Sequence, residues 1–198
     1  MPAETMLSFL KNCTPEGRMG FRVATQCAPV LKGVKISNLI KVKPGEGREI
    51  RTRLKGSGIV CLSLYRDQEM EVLFLYRYGQ LEQHLRQPAV WGFLWKYGYE
   101  AWDVASVLER LRARYQQYAG GRSEFPHELG VLLEYPVEDV EGFIQNRGEN
   151  CLLSRYWKVY SNRQQAERIF RLYDAAKEQA LWEIVNGLPL YQVAVAVG

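Results

Sequence analysis

No stretch of this chain approaches the roughly 20 uninterrupted apolar residues that a bilayer-spanning helix needs, so no membrane partner is expected. The first residues, Met1 to Cys13, carry no basic region followed by a long apolar run, so no signal peptide is expected either. The cytoplasm is the expected location. The four cysteines, Cys13, Cys27, Cys61 and Cys151, include no close pair, which points to reduced thiols rather than a disulfide framework. The same spacing argues against a zinc knuckle, whose ligand pairs sit two to four residues apart. With only two histidines, His84 and His127, a three-histidine zinc site is excluded. The sequence has no GxxxxGK[ST] phosphate loop, no GxGxxG and no GxSxG. It names no cofactor, and these absences weaken the case for an enzyme without closing it.

What is present is an ordinary globular composition. The 198 residues suit a single domain spanning 1–198, and 47% hydrophobic with 24% charged residues argues against wholesale disorder. Five Trp and twelve Tyr imply a core or cleft rich in rings that carry a polar edge. The net charge of +4 is unevenly placed. Between Lys32 and Lys55 there are eight basic residues against two acidic ones, while the remainder carries 18 basic and 20 acidic groups. Nucleic-acid binders interleave such charge with aromatics, and none occurs from Val30 to Gly58, so nucleic acid is not the expected partner. Two readings remain for this segment. It is a solvated loop, or it docks an acidic protein through Lys41, Lys43, Arg48, Arg51 and Arg53.

Periodicity gives a coarse secondary structure. Residues 4–12 suit a short helix, Thr14 to Gly20 reads as a turn, and Pro29 limits any helix or central strand around Cys27. Lys43 to Gly47 reads as a surface turn. Two apolar runs, Ile59–Tyr65 and Val72–Tyr76, flank a polar connector and predict a hairpin over 58–78. Because both runs are apolar at successive positions, both faces should be covered. Helices are expected over 81–86, 89–97 and, capped by Asp103, up to Tyr118. Pro126 and Pro136 each suit a helix start, giving helices over 126–134 and 136–146. Tyr156–Tyr160 reads as a strand. Ser161 and Gln164 predict a capping box for a helix to about Glu178, and the alternation of Tyr191 to Val197 predicts a terminal strand.

Two stretches are distinctive: Phe125-Pro126-His127-Glu128-Leu129-Gly130 continuing through Glu134-Tyr135-Pro136-Val137-Glu138-Asp139-Val140-Glu141-Gly142-Phe143-Ile144, and Tyr156-Trp157-Lys158-Val159-Tyr160. With Cys27-Ala28-Pro29 and Leu75-Tyr76-Arg77, they resemble the bacterial family catalogued as domain of unknown function 3793, found mainly in anaerobic Gram-positive bacteria. The likeness runs from about residue 20 to 178, leaving 179–198 as an extension. The resemblance implies no established activity. Relatives often carry Cys-Gly ahead of the Tyr-Trp-Lys-Val-Tyr motif, where this chain has Ser154-Arg155 with Cys151 nearby.

Within these stretches, His127 in a helix's first turn would meet the positive end of the dipole, which favours a neutral imidazole able to act as base or metal ligand. Alternatively it fixes the helix start by bonding a neighbouring loop. Glu128 is no metalloprotease glutamate, since Val131 stands where HExxH needs its continuation. Cys27 is either a small buried apolar residue or, near basic side chains, an activated thiolate. Alternation puts Tyr156, Lys158 and Tyr160 on one side of their strand and Trp157 on the other. The first three would hold an anion or a flat ring, or would form a plain exposed face.

The expected fold is therefore α+β: a small, mostly antiparallel sheet of the 58–78 hairpin and the 156–160 strand, covered by helices. Two functions fit. One is a binding or adaptor protein that docks an acidic, redox or metal-handling partner through the basic segment. The other is a small enzyme or cofactor protein with a site around His127 and Cys27, with Glu128 or Lys158 nearby.

Overall fold

The chain is described from a computed structural model, which covers residues 3–195. Its centre is an antiparallel sheet of three strands, β1 (Ser37–Val42), β2 (Ile59–Arg66) and β3 (Glu71–Arg77), in the order β1-β3-β2. Strand β3 runs through the middle and is buried on both faces. Val72, Phe74 and Tyr76 enter one core, and Leu73 and Leu75 enter the other. The unbroken apolar run of β3 thus has its physical cause, while β2, at an edge, exposes Val60. Asp67 closes the hairpin by accepting hydrogen bonds from the amides of Glu69 and Met70.

One face of the sheet packs on α4 (Tyr78–Leu85), α5 (Pro88–Lys96), α6 (Val104–Ala119) and α7 (Glu128–Leu132). In α6 the stripe Val104, Val107, Leu108, Leu111 and Tyr115 is buried as its spacing predicts, and Asp103 caps it through the Ser106 amide.

The opposite face packs on α2 (Pro15–Leu31), α3 (Glu46–Arg53), the end of α9 (Arg163–Val185) and α10 (Leu190–Val195), with α1 (Ala3–Asn12) leading in. Several expectations are corrected here. Thr14–Gly20 is not a turn: Thr14 caps α2 by accepting from the Gly17 amide, and Pro15 sits at the first helical position. The helix continues through Pro29, which lacks the N–H that would meet the Thr25 carbonyl one turn back. Arg77 then donates to the Val30 and Leu31 carbonyls at this helix end and to the Ala194 carbonyl. The basic segment is no loop. It folds as β1, a turn at Gly45 with φ +94°, and α3.

Near the C-terminus, the cap of α9 is Asn162, accepting from the Gln165 amide, because the Ser161 hydroxyl is engaged elsewhere. The helix runs past Glu178 to Val185. The expected terminal strand is helix α10 as far as Val195, with Leu190, Val193 and Ala194 facing the core at helical spacing; residues 196 and 197 of that expectation lie outside the described residues. Lys32 seals this half. Its ammonium lies 3.0 Å from the Glu183 carboxylate and donates to the Val193 carbonyl.

The fold class is α+β, but the segment 156–160 does not join the main sheet. Only Lys158–Val159 (β5) is strand, paired with Leu153–Ser154 (β4) in a separate two-stranded ladder beside α8 (Val137–Gln145). The strand that completes the main sheet is β1. Among the described residues, no helix is long and apolar enough to cross a membrane.

Candidate functional site

The corner built by α7, α8 and β5 is shaped by one carboxylate. Asp139, in the first turn of α8, is buried and reaches across the chain instead of capping its own helix. One oxygen accepts from the Tyr160 amide, the Ser161 amide and the Ser161 hydroxyl, each at 2.8 Å. The other accepts from the Trp157 indole at 2.7 Å. These four donors, three on one oxygen and one on the other, hold the β5 segment against α8. Gly142 makes the approach possible, since a Cβ there would lie 2.5 Å from the Tyr160 Cβ. Gly130 likewise lets α7 approach Val140 of α8. Glu134, at φ +64°, turns the chain between these helices and accepts from the Ile36 amide.

The result is a pocket of about 210 Å³. Its walls are the rings of Phe125, Tyr135, Phe143 and Trp157 with the side chain of Val140. Trp157 stacks on Tyr135 at 5.4 Å and meets the edge of Phe170 at 4.5 Å, which fixes its plane. His127 and Lys158 supply the polar lining. The imidazole is wedged between Phe125 and Phe143, with centroids 5.7 and 5.8 Å away, and among the described residues no hydrogen bond reaches it. The Lys158 ammonium donates to the Gly148 carbonyl and lies 5.8 Å from the Phe143 ring centre. Exposed, it keeps further N–H donors free.

The structure brings together only some of the residues singled out from sequence. His127 and Lys158 converge. Glu128 turns away from the pocket; fully buried, it pairs with Arg114 and accepts from the Tyr99 hydroxyl, tying α7 to α6. The expected grouping of Tyr156, Lys158 and Tyr160 does not hold at the pocket, because β5 is two residues long and alternation lapses on either side. Tyr156 packs on Phe170 and Tyr173 and donates to Asp174, and Tyr160 lies on Gly142. Trp157, expected to face away, lines the pocket beside Lys158.

Cys27 lines no part of this pocket. It is 0% exposed within α2, and burial pushes its thiol up to about 11, the opposite of an activated thiolate. Cys61 is likewise pushed up to about 12 by burial. Among the described residues, no group of three or more His, Cys, Asp and Glu is placed to hold a metal ion.

The basic segment is largely consumed internally. Lys32 and Lys35 are buried, Arg51 pairs with Glu71, and Arg53 pairs with Glu49 and Glu16. Exposed are Lys41 on β1, Arg48 on α3 and Lys55 in the turn after α3, which make no ion pair among the described residues, together with Lys43 beside Glu46.

Sequence reasoning missed the organising role of Asp139 and the part played by Phe125, Tyr135 and Phe143. Their signal was present: all four lie within the first distinctive stretch, and the second supplies Trp157 and Lys158. The family model described as protein of unknown function (DUF3793) matches residues 23–194, so the match takes in all but the last residue of α10 and most of the segment read as an extension. No curated protein and no solved structure matches the chain.

Proposed function

The chain belongs to the DUF3793 family, whose description assigns no function, and on that premise we propose that the protein is a binding module whose site is the ring-lined pocket between α7, α8 and β5. One observation carries this reading: His127 and Lys158, distant in sequence, meet at a single cavity walled by four aromatic rings. A mostly apolar cavity with a few convergent polar groups is the common form of a small-molecule site. Its roughly 210 Å³ falls below the ~300–1,000 Å³ usual for drug-sized ligands, so the occupant is a compact group. Catalysis centred on His127 and Cys27 gains no support, since the buried thiol lines no part of the pocket. The protein works in this reading in the bacterial cytoplasm, where its free thiols stay reduced.

Crystals soaked with mixtures of one-ring fragments test it. Density for a fragment between Trp157 and Phe143 is the expected result. Fragments bound only elsewhere, or nowhere, sink the reading.

A second reading rests on a separate observation. Lys41 on β1, Lys43 just past it, Arg48 on α3 and Lys55 in the turn that follows α3 are all exposed within fifteen residues of chain. An acidic protein partner docks there, steered by complementary charge. Retention on immobilised poly-glutamate at low salt, lost in a Lys41→Glu/Arg48→Glu variant, is expected. Retention on RNA but not on poly-glutamate overturns it.

A further inference from the structure

We propose that the pocket is selective for a compact planar carboxylate, an aryl or heteroaryl acid; this rests on the binding reading above and adds the chemical class of the ligand. The argument is an inventory of free hydrogen-bonding capacity. Asp139 is the pocket's one carboxylate among the described residues, and its two oxygens already accept from four donors, including the Trp157 indole. At 2% exposure Asp139 is enclosed by its own donors and offers a ligand cation little access, and the indole N–H is equally taken. What stays open is mostly donor. The exposed Lys158 ammonium has spent one N–H on the Gly148 carbonyl, and the His127 ring, which no hydrogen bond reaches among the described residues, carries at least one N–H in either protonation state. A ligand that meets this lining accepts hydrogen bonds and carries negative charge.

Shape supplies the rest. Trp157 is held in plane by Tyr135 on one side and the edge of Phe170, and the Phe143 ring faces the same cavity, so the space between them suits a flat group. A cavity of about 210 Å³ suits a compact group of one ring and a carboxylate. The ring displaces water from apolar walls, while the carboxylate meets Lys158 in a charge-assisted hydrogen bond, stronger than its neutral counterpart. Gly148 bears on this geometry. It stands at φ +76°, and a Cβ there would press on Phe143 at 3.0 Å and reach within 3.6 Å of Lys158 Nζ. The residue that holds Lys158 at rest is therefore also one that keeps the Phe143 wall in place.

The test compares benzoate with benzamide, planar near-isosteres that differ in charge, each titrated against the full chain while the Trp157 indole resonance is followed. Benzoate is expected to bind at least about tenfold more tightly, with the advantage shrinking as salt is raised. Lys158→Met, which keeps the stem and removes the ammonium, is expected to bring the two ligands to within about twofold, with an unchanged far-ultraviolet spectrum showing that it folds. If benzamide binds as tightly as benzoate and both shift Trp157, the pocket is a binding site but the anion assignment falls. Should neither shift Trp157, the binding reading falls and takes this assignment with it.

Discussion

Two carboxylates that reach across the chain, Glu183 and Asp139, organise opposite sides of the molecule in opposite ways. Glu183 meets Lys32 inside the α2–α9–α10 packing, where the ammonium also reaches the Val193 carbonyl. Cation and anion close on each other, and nothing polar is left for a ligand. Asp139 instead gathers neutral donors, two amides, a hydroxyl and an indole, and so leaves the nearby cation, Lys158, without a carboxylate. The same chemistry makes a closed core in one place and an open pocket in the other. The difference lies in which charge is satisfied internally.

Breaking the closed side should have the larger effect on stability. Glu183→Ala leaves Lys32 buried without its partner, and a loss of about 3–5 kcal/mol is expected in urea unfolding. The pocket should survive locally, because α7, α8 and β5 do not depend on that pair. Asp139→Ala strands an indole N–H, two amides and a hydroxyl, and about 2–4 kcal/mol is expected to go. Here the Trp157 indole resonance should lose its distinct position, which Glu183→Ala should leave alone. Gly142→Ala forces Tyr160 off α8 and is expected to cost about 1–3 kcal/mol by overpacking. Lys158→Met should change stability by less than about 0.5 kcal/mol, as an exposed substitution does, while removing anion binding.

Lys35 sharpens the comparison from between the two regions. Burial lowers its amine from the ordinary 10.5 to about 8, and it lies over the rings of Tyr135 and Tyr173 with Asn38 as its hydrogen-bond partner. From about pH 8 to 10.5 the unfolded chain holds this proton and the folded chain does not, so the Lys35 contribution to stability rises with pH across that window. Relative to Lys35→Met, the wild type should gain stability over that range, by at most about 1.4 kcal/mol per pH unit. A parallel pH dependence of the two proteins would contradict the burial of this amine.

Much of the fold was legible because its signals are local. The central hairpin follows from unbroken apolar runs, and α6 follows from its stripe and the Asp103 cap. What escaped depends on partners distant in sequence. Strand β1 carries an irregular burial pattern because it lies at an edge, with Lys41 outward beside buried Ile40 and Val42. Pro29 reads as a breaker, yet Arg77 supplies donors to the carbonyls at that helix end. The alternation of Tyr156 to Tyr160 reads as a strand, but Asp139 draws Tyr160 and Ser161 away from any longer ladder. At the pocket, His127 and Lys158 are visible as chemistry-bearing residues. Their convergence is not, since it passes through Asp139 and Gly142, neither of which has a motif of its own. Cys27 shows the reverse: a promising residue type that the packing of α2 turns into core.

The most direct test uses the tryptophans as reporters for the two sides. Trp157 lines the pocket, while Trp182 stands 56% exposed on α9. With fluorinated tryptophan incorporated throughout the chain, addition of benzoate should move the Trp157 resonance along a saturable curve and leave Trp182 in place. A Trp157 signal that does not move, or one that moves only as much as that of Trp182, would contradict a binding site at the α7–α8–β5 corner.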